Sequence, residues 1–456
     1  MGRTHRARIC VPLVASRRRS GRWPPAHALR KVGDTLARGS RTQNEFSGAI
    51  VITKETPTGI NRANQRDAVI AGFLGWTFDA FDFFLATFVI ADVAKTFGKS
   101  RSDIALTITL ALAMRPLGAV AFGVMADRIG RRVPLMLNVL LYASLSVASG
   151  LAPDYRTFVI VRMLFGIAMG GQWGVGASLV LESVSVKWRG VFSGFLQQGY
   201  TMGYLLAAIV YRMVYPAFGW RPLFFVGGLP ALLALFLFVK VKESPVWHEN
   251  RTDWSTYRRS ALKHWRRFLY FILLITMVAM IAHGTQDMYP TFLQIARRFT
   301  AQQTADITIL STIGALLGGL AFGLYSDHAG RRRAMVTASL GGLLIVPLWI
   351  AAPNTVLIIV GVVLMQFFVQ GVAGIIPAHM NELTPGHMRG FFPGFAYQLG
   401  VLCAGNITYV EAVLGDRFAY AQAMGILVAI IFIVGAIVFA LGPENKGAVF
   451  SKEAAM

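Results

Sequence analysis

GVMADRIGRR at residues 123–132 and GLYSDHAGRR at residues 323–332 are one phrase written twice, 200 positions apart. Each sets an acid, a helix-breaking glycine and a basic pair at the same spacing. The offset recurs along the chain: Glu182 maps onto Glu382, Arg189 and Gly190 onto Arg389 and Gly390, Gly194 and Phe195 onto Gly394 and Phe395, and Gln198 onto Gln398. Self-similarity at a fixed period is the mark of a fold built from repeated units. Here the unit is half the chain.

The composition says where those halves sit. Of 456 residues, 55% are hydrophobic and 14% charged, with mean hydropathy +0.54, far from the quarter-charged make-up of a soluble domain. On a length of about 20 apolar residues per crossing, spans fall at 68–92, 103–125, 133–151, 156–180, 189–213, 220–240, 266–292, 305–325, 334–352, 355–379, 389–412 and 418–441. The chain is therefore expected to be an all-α, multi-pass membrane protein of twelve helices in two six-helix halves, 68–240 and 266–441. A polar central loop, 241–265, joins them, and a short tail, 442–456, follows. Two parallel six-span halves are the pattern of a carrier that rocks about a shared midplane site.

Charge gives the orientation. Arg128, Arg131 and Arg132 follow the second span, Lys187 and Arg189 the fourth, the basic central loop the sixth, and Arg331, Arg332 and Arg333 the eighth. The positive-inside rule puts those loops and both termini in the cytoplasm of a cell, plasma or bacterial inner, membrane. Residues 1–67 carry 14 of the 44 Lys and Arg against 4 of the 22 acids, and read as a basic, disordered cytoplasmic extension. With Trp23 alone among the basic residues it lacks the interleaved aromatics of a nucleic-acid site, and no such partner is expected. Two cysteines, Cys10 and Cys403, give no disulfide framework or metal site, and no enzymatic constellation is present.

In the repeated phrase, Asp127 can pair with Arg131 and with the N-terminal dipole of a neighbouring helix, holding the halves together. Gly123, Arg128, Gly130, Glu182, Arg189 and Arg389, with Asp327, Gly330, Arg331 and Glu382, complete a cytoplasmic gate. The phrase resembles the mark of the major facilitator superfamily, over residues 69–441. Finer resemblance comes from GWTFDAFDFF (75–84), GGQWGVGASLVLES (170–183), SGFLQQGYTMGYLLAA (193–208), GWRPLFFVGGLPALL (219–233) and KESPVW (242–247). Together these look like the sialate and monocarboxylate proton symporter branch. That branch's seventh-span motif, N-x-x-[ST]-H-x-[ST]-Q-D-x-x-x-T, is met by His283, Thr285, Gln286, Asp287 and Thr291, while Ala279 and Ala282 replace its first two polar residues. The resemblance implies proton-linked transport of an organic anion.

Intramembrane ions are costly and mark function. Asp79 and Asp82 face one way on the first span, and His283 and Asp287 stand one turn apart on the seventh, with Thr291 continuing the stripe. These four acids and bases are the expected proton-coupling groups, the proton itself being the coupling ion and no other cofactor being required. Arg115, about 18 Å along its helix from Asp127, is either an anion clamp or a fixed partner of those acids. Arg162, the second arginine expected to meet the anion, lies nearer the periplasmic surface and has no counterpart, position 362 being valine. Gln172, Gln198, Tyr397 and Gln398, with Thr285, Gln286 and Thr291, are polar groups able to line a substrate cavity. The expected function is proton symport of a small organic anion, a monocarboxylate such as lactate or pyruvate, by a monomer in the bilayer. Sialic acid, an aromatic acid, a sugar or a non-transporting carboxylate sensor are the alternatives.

Overall fold

The computed structural model describes residues 62–450 except 252, 408–409, 412–413 and 415–417. Residues 1–61 of the extension read at 1–67, and the final residues 451–456, lie outside this set. Among the described residues, nine helices are long and apolar enough to cross a bilayer: Arg62–Phe88, Leu106–Ile129, Arg132–Leu151, Tyr155–Ser183, Trp265–Ile295, Gln302–Ala329, Arg331–Ala351, Thr355–Leu383 and Ala421–Leu441. The remaining three spans are divided into shorter helices.

The fifth span is two helices, Arg189–Gln197 and Gly199–Phe218, meeting at Gln198. The sixth divides into Arg221–Val226 and Ala231–Lys240 around Pro230, which has no amide hydrogen to continue the ladder. In the eleventh the regular helix is Phe392–Ala404. The seventh span corrects the sequence reading: the Trp265–Ile295 crossing is interrupted within its length, the helix Trp265–Gln286 ending before a new one, Tyr289–Ile295, begins. Pro290 cannot donate to the carbonyl one turn back. Thr291 therefore stands on a separate helix and does not continue the His283 and Asp287 stripe. The first span also starts earlier than expected, at Arg62, with Asp67 buried beside Arg66. The central segment read as a loop forms two short helices, Pro245–Glu249 and Trp254–Lys263.

The internal repeat reaches down to the helix caps. Ser100 and Thr300 each close a capping box on the second and eighth spans, accepting from Asp103 N at 3.1 Å and Gln303 N at 3.2 Å. Asp154 and Asn354 cap the fourth and tenth, each accepting an amide hydrogen at 2.9 Å. Within each half the second packs on the fourth and the eighth on the tenth. Between halves the eighth and tenth spans receive Arg189–Gln197, and the second and fourth receive Phe392–Ala404, a two-fold exchange. Outward faces carry Leu117, Met213, Leu232, Leu344 and Leu441, an exposed apolar belt that lipid covers.

Two kinds of glycine in the repeated phrase have separate tasks. Gly130 and Gly330 adopt φ of 109° and 100°, ending the second and eighth spans in a region costly to other residues. Gly323 lets the other half approach: a Cβ there would overlap the Gly190 carbonyl oxygen. Gly323→Val is therefore expected to prevent the halves from meeting at this end. A cysteine introduced at Val191 should then react with a water-soluble maleimide about tenfold faster than in the parent, a shift of about 1.4 kcal/mol. Equal rates would show that the contact does not hold the halves together.

Candidate functional site

At the end bearing the repeated phrase, each half grips the other's broken helix. The Asp127 carboxylate accepts from Gly390 N at 2.8 Å and Phe391 N at 3.1 Å, the two amides leading into Phe392–Ala404. Asp327 accepts from Gly190 N at 2.8 Å and Val191 N at 3.1 Å, in the first turn of Arg189–Gln197. An anion on unsatisfied helical amides gains both hydrogen bonds and dipole. Arg131 then joins Asp127 (2.8 Å) to Glu182 (3.0 Å), and Arg331 joins Asp327 (2.8 Å) to Glu382 (2.9 Å). Arg389 and Arg189 reach Glu182 and Glu382 of the opposite half at 3.9 Å.

Residues outside the phrase complete this latch. Tyr257 Oη donates to Asp127 at 3.1 Å, and Trp247 Nε1 donates to the Asp127 carbonyl at 2.9 Å. Burial and the Asp127 charge push the Tyr257 phenol far above its usual range, so it stays a donor at every physiological pH. Glu243 caps the third span through Arg131 N (2.8 Å) and Arg132 N (3.1 Å), and Glu444 accepts from Arg332 N at 2.8 Å. The buried Phe450 ring lies between the Arg189 and Arg389 guanidinium groups, 3.4 and 3.6 Å from its centroid. Arg128 stacks over Trp254. Sequence reading passed over Glu243 and Glu444 because they repeat at an offset of 201, not 200.

Deeper in, the first-half acids are each matched to a cation. Arg162 Nη1 donates to Asp82 Oδ2 at 2.9 Å, the Ser146 hydroxyl bonds the other oxygen, and the guanidinium lies 4.0 Å from the Phe165 centroid. Asp82 is fully buried and Arg162 is 2% exposed, so this is a closed pair. Arg115 Nη2 reaches Asp79 Oδ2 at 3.4 Å only, leaving Asp79 Oδ1 and Arg115 Nε unpartnered. Two part-buried phenols, Tyr200 and Tyr397, stand on the fifth and eleventh spans. Those phenols belong to an aromatic box: Tyr397 stacks on Trp173 at 4.2 Å, and Trp76 stands 5.8 Å from Tyr200 and 6.3 Å from Tyr397. Trp173 Nε1 donates to Gln197 at 3.2 Å. The box draws on the first, fourth, fifth and eleventh spans, hence on both halves.

In the second half, His283 Nδ1 lies 3.2 Å from Asp287 Oδ2, and both side chains are about one-third exposed or more. Gln286 Nε2 donates to Gln366 at 2.8 Å, tying the seventh span to the tenth. Thr285 is buried, its hydroxyl on the Ile281 carbonyl at 2.8 Å, so it faces its own helix and not a cavity. Gln172 is buried with its amide unpartnered, Gln198 accepts from Thr201 at 3.5 Å, and Gln398 Nε2 reaches Gly170 O at 3.4 Å. Glu411, 1% exposed, is a further buried acid that sequence reading missed. It fell one residue from the expected end of the eleventh span, where an acid costs little.

Two like halves, latched at one end around a buried charged and aromatic centre, define a membrane carrier and not an enzyme. The chain belongs to the Major Facilitator Superfamily, whose family model matches residues 72–405. It is similar to the carboxylic acid transporter protein homolog of Saccharomyces cerevisiae, at 28% identity over 79% of this chain and 65% of the yeast protein. It thus spans a little under two thirds of that relative's length. The sialic acid transporter NanX of Escherichia coli is 29% identical over 74% of this chain and 84% of its own. Among solved structures, the proton:xylose symporter XylE bound to 6-bromo-6-deoxy-D-glucose superposes with a TM-score of 0.66, at 18% identity, over 87% of this chain and 99% of that one. That likeness establishes the shared fold.

Proposed function

We propose that this carrier is a proton-coupled symporter of a small organic anion, a monocarboxylate such as lactate or pyruvate, working by alternating access. The observation that supports it is the loose Arg115 and Asp79 pair. At 3.4 Å it is longer than the 2.7–2.9 Å of a strong charge-assisted bond, and Arg115 keeps an unpartnered N–H. A proton on Asp79 removes its charge and leaves the guanidinium to a substrate carboxylate; departure of both restores the pair. Loaded and empty centres are then both neutral, which a low-dielectric site requires.

Trp76, Trp173, Tyr200 and Tyr397 would cover the apolar part of the anion, and His283 with Asp287 would pass protons to and from water. Gln172, against Gly75 of the first span, and Gln398, bonded to Gly170 of the fourth, would flank the same centre. On this reading the latched end faces the cytoplasm, because the basic loops lie there. The carrier acts as a monomer in a cell membrane, with the proton as its only cofactor. The names of the yeast and Escherichia coli relatives, a carboxylic acid and a sialic acid transporter, agree with an acidic substrate.

Reconstituted vesicles offered labelled lactate, pyruvate, benzoate or sialate, with and without an acid-outside gradient, decide the matter. Lactate or pyruvate should accumulate, and a gradient of one pH unit should raise accumulation about tenfold, as one coupled proton permits. Uptake of sialate alone would move the assignment to the larger acid. If none of the four entered under either condition, the symport reading would be lost.

A further inference from the structure

The two halves, alike in fold, treat their buried acids differently. Asp79 and Asp82 each have an arginine, from the second and fourth spans. The corresponding positions of the second half hold Ala315 and Val362. Yet it holds Glu411, which the first half lacks, position 211 being tyrosine. Glu411 is 1% exposed, and neither carboxylate oxygen has a hydrogen-bond partner among the described residues. An ionised carboxylate without cation or donor in such a place is strongly penalised, and a bound proton removes the penalty.

The setting shows what faces it. Glu411 Oε1 lies over Gly284 of the seventh span, 3.8 Å from where a Cβ would be, with Ile407 and Ile431 completing the wall. Gly284 and Asp287 are three apart and share a helix face, so Asp287 lies towards the side of the seventh span on which Glu411 sits. His283, bonded to Asp287, is the other titratable group at that end of the seventh span. The twelfth span contributes Ile431 and has no ionisable side chain between Ala421 and Leu441. Among the described residues, two acids thus share one neighbourhood with a single part-exposed histidine.

We propose that Glu411 is a proton-binding site of the second half, exchanging its proton with water through the His283 and Asp287 pair as the cavity opens. In the transfer an O–H bond of hydronium breaks, the His283 and Asp287 pair takes up that proton and passes one on, and an O–H bond forms on the Glu411 carboxylate, leaving water and the pair as they began. Its place in coupling rests on the symport reading; its proton binding does not. The charge compensation is thereby divided, the first half using arginines fixed in its framework and the second a mobile proton.

The full chain in lipid vesicles, followed by infrared spectroscopy over an acid-to-alkaline titration, provides the test without any substrate. A carbonyl stretch from a protonated buried carboxyl should be present in the parent and absent from E411Q. E411D, which keeps the acid on a shorter stem, should shift that stretch and not abolish it, separating loss of the proton site from loss of folding. With whichever of lactate, pyruvate, benzoate and sialate the parent accumulates, the ratio of uptake with a pH gradient to uptake without should fall towards unity in E411Q. An unchanged spectrum overturns the proposal, and an unchanged response to the gradient overturns the part of it that gives Glu411 a place in coupling. If the parent itself takes up none of the four acids, the substrate reading fails while the infrared comparison still decides on Glu411.

Discussion

Arg162→Ala is expected to cost about 3–5 kcal/mol of stability, because it strands the Asp82 carboxylate as an uncompensated charge in the interior. Asp82 is fully buried, and after Arg162 the Ser146 hydroxyl is what remains to it among the described residues. Loss of the guanidinium also removes its contact with the Phe165 ring. The companion variant, Arg162→Ala with Asp82→Asn, discards both charges and should recover most of the loss. Thermal unfolding of the purified protein, single against double variant, measures this directly. Equal damage in both would mean that the pair is not what stabilises these helices. The double variant also asks a functional question: if it still accumulates the acid, Arg162 is a framework cation and Arg115 alone meets the anion.

A second large effect is expected at the latch. Asp127 and Asp327 each take two backbone amide bonds from the opposite half, and bonds to a charged group contribute about 1.5–3 kcal/mol apiece. Asp127→Ala should therefore remove about 3 kcal/mol from the latched state, moving the latched-to-open ratio about a hundredfold. Removing Asp327 as well should leave that state scarcely populated. Distances between spin labels placed on the second and eighth spans, at the latched end, would report the shift as a longer population. Distributions identical to the parent would show that the closure rests on packing and not on these carboxylates. Asp127→Asn is the finer probe, since it keeps an acceptor and the size while removing the charge. An intermediate shift there assigns the remainder to charge itself.

How far these residues could be foreseen depended on the kind of force involved. Apolar length located the crossings, yet not the break after Gln286, although Pro290 was in plain sight. A run of apolar side chains reads the same whether or not a backbone hydrogen bond is missing within it, so the stripe drawn from His283 to Thr291 crossed a gap that the helix does not bridge. The repeat exposed Asp127, Arg131, Asp327 and Arg331 because their spacing is kept to the residue. Glu243, Glu444, Tyr257 and Phe450 sit in segments that polar composition alone marks as connectors, and only docking against the latch gives them a task. Thr285 looked like a cavity residue and is satisfied by its own helix. Glu411 was judged by its nearness to a span boundary, and the fold buried it.

The sequence by itself determined the helical membrane class, the division into two like halves, the acids and arginines of the repeated phrase and the family. All of these follow from quantities that add along the chain: apolar length, charge between spans, and an exact period. Only the tertiary structure decided which ion meets which: Asp82 with Arg162 eighty positions away, Asp79 with one end of Arg115, Glu411 with no cation among the described residues. The reason is physical. Burial of a helix is settled by its own composition, but the state of a buried charge is settled by whatever stands within a few ångströms of it, and that neighbour is supplied by another helix.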